Sequence, residues 1–241
     1  MITIKNLYKS FGDNVVLKDI DLHIDQGDSI GIIGPSGIGK STLLRLICGL
    51  IQPDLGELVV LGQNYDKLTE KEWEVLRLKM GFLFQSSALF DSISVFENVA
   101  LILREGNFSF SESSIRRKVC ETLSLVGMVD YQESMPGDLS GGQRKRVGLA
   151  RAFVHHPDLV LYDEPTTGLD PMLSYQIENL IVKLNRELSI TSIVVTHQLT
   201  TIFRTIDKVY YLKDARLIGP EAPSQLKNSR YKVMKEFVNY G

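Results

Sequence analysis

The stretch from residue 34 to residue 42 constrains the fold of this chain more than any other part of the sequence. Its residues are Gly34, Pro35, Ser36, Gly37, Ile38, Gly39, Lys40, Ser41 and Thr42. An apolar segment typical of a buried strand precedes this stretch, and leucines and isoleucines at helical spacing follow it. A glycine-rich turn is the structural alternative, but every fixed position of the phosphate-binding loop pattern is filled. The stretch therefore predicts a site for a nucleoside triphosphate between a strand and a helix.

The residue types in this loop suit that chemistry. The glycines let successive backbone N–H groups face a polyphosphate, and the start of the helix adds the positive end of its dipole. Lys40 can reach the β- and γ-phosphates, and the Ser41 hydroxyl can ligate Mg²⁺. We therefore expect the nucleotide to bind together with a magnesium ion.

Composition sets limits on the class of protein. A chain of 241 residues suits one large domain, or a domain with a subdomain. The formal net charge of -2 gives no global electrostatic argument for binding nucleic acid. Cys48 and Cys120 lie in apolar helical patterns, which favours reduced core thiols in a cytosolic protein. The N-terminus lacks a signal-peptide pattern, and no apolar run approaches the roughly 18 residues of a membrane span. Any membrane role is therefore expected to come through a partner.

The order of strand and helix patterns predicts an α/β fold with an insertion. Residues 1–33 alternate like the strands of a small β layer, with Leu17, Ile20, Leu22 and Ile24 towards a core. Further strands are predicted over 57–61, 80–84, 159–163 and 190–196, and a hairpin over 208–218. A capping box at Thr69 predicts a charged helix up to residue 79. From residue 86 to about residue 135 helical patterns replace strand patterns, with a second capping box predicted at Ser94. This region is interpreted as an inserted helical subdomain.

A second glycine-rich motif opens a helix after this region. It consists of Leu139, Ser140, Gly141, Gly142 and Gln143. Ser140 and Gln143 satisfy a capping-box pattern, so the serine could serve only as a cap. Two adjacent glycines at a helix start, however, cost about 1 kcal/mol each relative to Ala and need a reason. Close approach of a ligand to the helix N-terminus is such a reason. The basic residues that follow are interpreted as solvent-facing or paired charges on the polar face of the helix; they are Arg144, Lys145, Arg146 and Arg151.

Acidic residues and a histidine end two of the later strands. Asp163 and Glu164 follow an apolar run, and Asp163 is the expected second Mg²⁺ ligand of a phosphate-loop protein. Glu164 points to the opposite side and is free to orient or deprotonate a water molecule. Asp170 precedes Pro171 as a helix N-cap. His197 lies at a strand end, where open α/β sheets bind ligands, whereas His23, His155 and His156 are interpreted as surface residues.

An aromatic residue near the start of the chain has two interpretations. Phe11 stands directly before the turn at Gly12, ahead of the phosphate loop. An aromatic ring at this place could stack on an adenine, but a single Phe between strands is more often part of a core. The residue pattern alone favours the core.

Taken in order, these motifs resemble those of the nucleotide-binding subunits of ABC transporters, over essentially the whole chain. Residues 34–42 are similar to the Walker A loop, and residues 159–163 to Walker B. The other matches are Glu164 with the catalytic glutamate, Gln85 with the Q-loop, residues 139–143 with the LSGGQ signature, residues 168–170 with the D-loop, His197 with the switch histidine and Phe11 with the adenine-stacking aromatic. For Phe11 the resemblance favours the stacking role over the core.

The resemblance implies a P-loop NTPase cassette with a RecA-like core, an N-terminal antiparallel β layer and an inserted α-helical subdomain. The single ATPase domain would span 1–241, with the core lobe over 1–85 and 156–241 and the helical subdomain over 86–155. ATP would lie between residues 34–42 of one copy and the signature of a second copy, paired head to tail, with Asp170 nearby. Ser41, Gln85 and Asp163 would hold Mg²⁺, while Glu164, Gln85 and His197 would position the attacking water.

Residues 84–91 and 95–100 suggest a narrower resemblance. An Ala-Leu-Phe run after the Q-loop is similar to the Mla-type ATPases, which serve MCE-protein systems that move phospholipids between bacterial membranes. This resemblance implies a separate integral-membrane permease and an MCE-domain protein as partners, and a peripheral position on the cytoplasmic side of the inner membrane. The apolar segment after Gln85 is the expected permease contact, with Leu89 and Phe90 as its exposed residues.

Other functions remain open at this point. Within transport, amino-acid import or lipoprotein release are the alternatives. A soluble ABC ATPase that acts on nucleic acid or ribosomes is less favoured, because such proteins usually carry two cassettes or a long coiled-coil insertion. This chain has neither feature, and its charge is not basic.

Overall fold

The computed structural model of the protein describes residues 1–106 and 108–240, with Tyr240 described by its backbone only. The strands are β1 (Ile2–Phe11), β2 (Asn14–Ile24), β3 (Ser29–Ile33), β4 (Leu55–Val60), β5 (Gln63–Asn64), β6 (Met80–Leu83), β7 (Leu159–Asp163), β8 (Thr191–Thr196), β9 (Lys208–Lys213) and β10 (Arg216–Glu221). The α-helices are α1 (Lys40–Ile47), α2 (Glu70–Arg77), α3 (Val95–Glu105), α4 (Glu112–Leu125), α5 (Gly141–Phe153), α6 (Pro171–Glu187), α7 (Leu199–Thr205) and α8 (Lys232–Tyr240).

The strands form two sheets. The smaller sheet is antiparallel, with the order β2-β1-β4-β5. The larger sheet has the order β10-β9-β3-β8-β7-β6, in which only β10 runs antiparallel to its neighbour. The predicted α/β class with an N-terminal β layer is confirmed, although β3 leaves that layer and joins the parallel sheet.

The larger sheet separates two hydrophobic cores. Successive residues of β7 alternate between them, because side chains of a strand point to opposite faces. Leu159 and Leu161 face the core shared with the smaller sheet, α1 and α2. Val160 and Tyr162 face the core shared with the longer helices from α3 onward. A strand buried on both faces is a continuous apolar run, which is the pattern that the sequence shows here.

The parallel order brings three strand ends to one edge of the larger sheet. β8 lies between β3 and β7, with Ile33 paired to Thr196 and Asp163 paired to Val195. The phosphate loop follows β3, the acidic pair ends β7 and His197 follows β8. Residues far apart in sequence therefore meet at this edge.

The helix starts follow the predicted caps in most places. Thr69 and Glu72 form a complete capping box at α2. Ser94 accepts a hydrogen bond from the Glu97 amide, but the reciprocal half of the predicted box is not formed. Arg104 takes the Glu97 carboxylate instead. Helix α7 was not predicted, because it is short and has no side-chain cap. In the described ranges, no helix is both long and apolar enough to cross a membrane.

The structure corrects the expected exposure of His155 and of Leu89. His155 is buried rather than on the surface, since its Nε2 lies 3.1 Å from the carbonyl oxygen of Met80. Burial lowers the pKa of His155 to about 4, so it is neutral at physiological pH. Leu89 is half-buried against the helical core, whereas the neighbouring Phe90 is 53% exposed.

Cys48 is buried and Cys120 is partly buried, and both are free thiols.

Candidate nucleotide site

The loop before α1 has the backbone that a phosphate site needs. Gly34, Gly37 and Gly39 all have positive φ angles, of 145°, 76° and 112°. A Cβ atom at Gly34 would lie 2.7 Å from the carbonyl oxygen of Leu212, and one at Gly39 would meet Val16. Glycine is therefore required at both ends of the turn, by conformation and by space. The turn delivers the first residues of α1 to the edge of the larger sheet.

Lys40 lies beneath this loop rather than in solvent. Its ammonium donates to the carbonyl oxygens of Gly34 and Pro35, at 2.9 and 2.8 Å, and the residue is 5% exposed. Its Nζ is 4.0 Å from Glu164 Oε1. Burial lowers the pKa of Lys40, while Glu164 and Asp163 act in the opposite direction. A cation held between loop carbonyls and carboxylates is suited to meet the charge of a polyphosphate.

Ser41 and Asp163 form the second feature of the site. The Ser41 hydroxyl donates to Asp163 Oδ1 at 2.8 Å, which joins α1 to the end of β7. Burial raises the pKa of Asp163, and the hydrogen bond from Ser41 opposes this effect. A hydroxyl and a carboxylate are hard oxygen ligands, and Mg²⁺ binds through one or two such groups together with phosphates.

The described ranges hold no group of three or more His, Cys, Asp or Glu side chains that could bind a metal ion by themselves. The donors present at Ser41 and Asp163 thus fit a metal that shares its ligands with a nucleotide. Gln85 is exposed, and no described hydrogen bond links its side chain to either residue.

Glu164 and His197 form a pair at the neighbouring strand ends. Glu164 Oε1 lies 2.8 Å from His197 Nδ1, and Oε2 accepts a hydrogen bond from the Thr167 hydroxyl at 3.0 Å. The carboxylate is therefore anchored on both of its oxygens. Glu164 has a left-handed φ of 49°, and its amide donates to Val195 at 2.9 Å. Such backbone strain in a non-glycine residue is concentrated at functional sites. The anchored carboxylate could orient a water molecule or accept its proton.

Phe11 is 52% exposed at the end of β1. Lys9 Nζ lies 5.3 Å from the centre of its ring. The core interpretation of Phe11 is wrong, because half of the side chain is exposed; the stacking role that the family resemblance favours stays a prediction. An exposed ring can stack on a base.

The signature motif forms the start of α5, with Ser140 as its N-cap. Ser140 and Gln143 make a complete capping box, so both side chains are engaged within the chain. A Cβ atom at Gly141 would meet only Leu169, at an ordinary 3.5 Å, and one at Gly142 would meet Leu173 at 3.2 Å. Packing within this chain therefore does not require glycine at position 141.

Asp170 lies beside this helix start. Its carboxylate accepts hydrogen bonds from the amides of Met172 and Leu173, both at 2.9 Å, as the predicted N-cap. Its side chain is exposed next to Leu169, the neighbour of Gly141. The signature and the D-loop thus share one exposed surface.

Two residues that contact the site, Thr167 and Lys145, were not predicted from the sequence to belong to it. Thr167 holds the Glu164 carboxylate, as described above. Lys145 is 4% exposed, and burial lowers its pKa to about 8 against the opposing effect of Asp163 and Glu164. The small residues Gly148 and Ala152 lie on the same face of α5. Small residues at this spacing could have indicated that this face is packed against another segment and not exposed to solvent.

Comparison with known proteins gives consistent matches. The ABC transporter family model matches residues 17–167. The chain is 41% identical to the intermembrane phospholipid transport system ATP-binding protein MlaF of Haemophilus influenzae, over 99% of this chain and 90% of that protein. It is also 41% identical to the methionine import ATP-binding protein MetN of Carboxydothermus hydrogenoformans, over 99% of this chain and 72% of that protein.

A solved structure with a similar fold is the dimeric post-hydrolysis state of the ATP-binding cassette MJ0796 bound to ADP and Pi. The match has a TM-score of 0.84 and 33% sequence identity, and it covers 92% of this chain and 99% of that chain.

Proposed function

The chain belongs to the ABC transporter family of ATP-binding proteins, and from this premise we propose that it is the ATPase subunit of a phospholipid transporter. ATP binding and hydrolysis follow from the family and from the likeness to a cassette in a post-hydrolysis state. The observation that carries the hydrolytic mechanism is the pair of Glu164 and His197, 2.8 Å apart at the strand ends beside the phosphate loop.

The proposed reaction is in-line attack of a water molecule on the γ-phosphate of ATP. Glu164 orients the water and accepts its proton, and His197 holds the Glu164 carboxylate in place. Lys40 neutralises charge that develops on the phosphate oxygens. Ser41 and Asp163, with Gln85, would hold Mg²⁺, which supplies further charge neutralisation at the phosphates when bound. Phe11 stacks on the adenine.

The partner in each active site is a second copy of this chain. Gly141 has room for a side chain within its own chain, so a reason for glycine there must come from outside. The N-terminus of α5 offers amide groups and a positive dipole to an anion. In a head-to-tail pair, this helix start would face the γ-phosphate bound by the other copy, with Asp170 at the shared surface.

Gly141→Asp tests this assembly. A carboxylate in the first turn favours the free helix, so the thermal stability of the monomer should be kept or slightly raised. The same charge would face the partner's phosphates, and we expect ATP-driven dimerisation to weaken by about 2 kcal/mol, roughly thirtyfold. Sedimentation in a Glu164→Gln background measures this. Gly137→Asp is the matched control, because Gly137 is exposed nearby with open space around it. Dimerisation of Gly141→Asp at the control's affinity would contradict the shared site.

The proposed permease contact is an apolar groove of about 830 Å³ beside the Q-loop. Its floor is β6 with the stacked rings of Phe82 and Phe84, and α3 forms one wall. Ala88 and Phe90, which follow Gln85, stand at its edge. The charged residues Glu74, Arg77, Glu105 and Arg151 complete the lining. An apolar groove with charged groups at its margin fits a short amphipathic helix of a membrane subunit, in the helix-in-groove mode.

Phe90→Asp should release the permease and leave the ATPase intact. Phe90 is an exposed aromatic on the groove, so its loss and the added charge should weaken association by about 2 kcal/mol, roughly thirtyfold. Co-purification with the membrane complex and ATP affinity of the isolated subunit are the two measurements. Phe203→Asp is the control, since Phe203 is 44% exposed on α7, away from the groove lining. Normal co-purification of Phe90→Asp would locate the contact elsewhere.

Two observations support phospholipid as the cargo. Residues 84–91 resemble those of Mla-type ATPases, and MlaF aligns with this chain over most of both lengths. The same degree of identity to a methionine import protein makes amino-acid import the alternative. On the phospholipid reading, the permease holds the subunit on the cytoplasmic side of the inner membrane, and an MCE-domain protein completes the system.

The cargo is tested with the complex purified from the membrane and reconstituted into vesicles. We expect ATP-dependent transfer of a fluorescent phospholipid that stops in the Glu164→Gln variant, and no ATP-dependent uptake of labelled methionine. The reverse pair of results would favour amino-acid import.

A further inference from the structure

The helix that begins with the signature motif also reaches the active site of its own chain. Lys145 is a buried side chain of α5 that none of the family motifs includes. Its Nζ donates to the carbonyl oxygen of Gln85 at 2.6 Å and to that of Glu164 at 3.4 Å. Gln85 and Glu164 are two of the three residues, with His197, that the family resemblance assigns to positioning the attacking water.

Arg151, further along the same helix, holds the next part of the Q-loop. Its guanidinium donates to the carbonyl oxygens of Ala88 at 2.7 Å and Ser87 at 2.8 Å. Ser87 and Ala88 both have left-handed backbones, with φ of 63° and 45°. Residues held in such conformations store strain, which persists only when surrounding contacts over-determine it. The two cations of α5 supply those contacts.

Gly148 lies between Lys145 and Arg151 on this face of α5. A Cβ atom there would lie 2.8 Å from Leu83 Cδ1 and 3.3 Å from Ser87 Cβ. The missing side chain allows α5 to lie directly against the end of β6 and the start of the Q-loop. We call the contact made by Lys145, Gly148 and Arg151 the carbonyl clamp.

We infer that Lys145 is a positioning residue for ATP hydrolysis, which fixes Gln85 and Glu164 relative to α5 through the carbonyl clamp. The inference rests on the proposed function, in which the first turn of α5 meets the ATP held by the other copy. One rigid helix then joins two ATP sites: its N-terminus lies at the partner's γ-phosphate, and its Lys145 lies at the water-handling residues of its own site. A movement of α5 when the partner binds ATP would displace the Gln85 and Glu164 backbones directly.

The alternative is a purely structural role, in which Lys145 only satisfies two buried carbonyls. The chain contains a matched example of that role on the same helix. Arg146 donates to the carbonyl oxygen of Val126 and to Gln176 Oε1, both at 2.9 Å. Neither acceptor belongs to the nucleotide site. Arg146→Met therefore removes a comparable cation from α5 without touching Gln85 or Glu164.

Lys145→Met is compared with Lys145→Arg and Arg146→Met by steady-state ATPase kinetics and thermal unfolding. We expect kcat of Lys145→Met to fall roughly ten- to hundredfold, because a small misplacement of a catalytic group has effects of this size. Its KM for ATP should stay within about twofold, since the phosphate loop is unchanged. Lys145→Arg keeps a charged donor and should recover most of the lost kcat. Arg146→Met should keep the kcat of the natural protein even where its melting temperature falls.

Three results would overturn the inference: an unchanged kcat in Lys145→Met, a loss no greater than that of Arg146→Met, or no recovery in Lys145→Arg. If Lys145→Met does not fold, Lys145→Gln replaces it, with about a tenfold lower kcat expected because its shorter side chain cannot span both carbonyls. Failure of the proposed function would look different. It would show as a natural protein that neither hydrolyses ATP nor dimerises with it in the Glu164→Gln background.

Discussion

Glu164→Gln is expected to bind ATP as the natural protein does and to lose hydrolysis by roughly a hundred- to ten-thousandfold, the range for removal of a general base. The amide has the shape of the carboxylate and can still accept from the Thr167 hydroxyl, which donates to Oε2 at 3.0 Å. The strained backbone at Glu164 is unaffected, since its amide bond to Val195 does not involve the side chain. The change removes the negative charge that attracts the proton of water, and it places an NH2 group opposite His197 Nδ1, where Glu164 Oε1 lay at 2.8 Å.

Single-turnover hydrolysis and nucleotide affinity, measured on the same protein, separate the two effects. Because binding survives while turnover stops, ATP should also trap the dimer of this variant. Glu187→Gln is the matched control: Glu187 is an exposed carboxylate on α6, 4.0 Å from Lys183, and its loss should leave the rate unchanged. A Glu164→Gln protein that turns over ATP at a near-normal rate would remove Glu164 from the reaction.

The core of the site was predictable because its parts are local in sequence. A glycine-rich loop between a strand and a helix needs particular residue types within a few positions of one another, and so does a strand that ends in carboxylates. The prediction that His197 belongs with them used one further rule, that parallel strands bring their carboxyl ends to the same edge. The order β3-β8-β7, which sets the actual distances, is fixed by packing between distant segments and leaves no local pattern.

The residues misjudged from the sequence are those whose burial depends on a neighbouring segment. Lys145 lies in the N-terminal half of α5 and His155 lies just beyond its C-terminal end, where only the small residues Gly148 and Ala152 indicate a face covered by β6 and the Q-loop. Lys145 is buried because Gly148 brings the helix close to Leu83, and His155 because Met80 provides an acceptor for it. For Phe11 the residue pattern alone favoured the core, whereas the side chain is half exposed, because the exposure of an aromatic at a hairpin end also depends on distant segments.

The family resemblance supplied what local patterns could not, namely a use for the Gly141-Gly142 pair. Contacts within one chain explain Ser140 and Gln143, which form a capping box. The Ser140 hydroxyl accepts a hydrogen bond from the Gln143 amide at 3.3 Å. Contacts within one chain do not explain the glycine at position 141, where a side chain would fit. That difference between neighbouring residues makes position 141 a sharper test of the dimer than Ser140.

Lys40→Met is expected to weaken ATP binding by about 3–4 kcal/mol, roughly a hundred- to thousandfold, the range for removal of a buried, hydrogen-bonded charge from its partner. Lys40 is the cation nearest the loop that would cradle the phosphates. Burial has already removed water from its ammonium group, which lowers the pKa of Lys40. The ammonium is held by hydrogen bonds to the carbonyl oxygens of Gly34 and Pro35, at 2.9 and 2.8 Å. A cation preorganised in this way needs little rearrangement to meet a polyphosphate, so most of its interaction appears as affinity.

The nucleotide-free protein should lose some stability in the same variant. Lys40→Met removes a desolvated ammonium, but it also loses two hydrogen bonds to carbonyls and the cation that lies 4.0 Å from Glu164. The melting temperature without ATP should therefore fall, and the gain in melting temperature on adding ATP is the quantity to compare. With ATP and Mg²⁺, the natural protein should gain stability in proportion to the logarithm of the ligand concentration, and Lys40→Met should not. Thermal unfolding across an ATP titration measures both quantities at once. A variant that is stabilised by ATP as strongly as the natural protein would show that Lys40 holds the loop and not the phosphates.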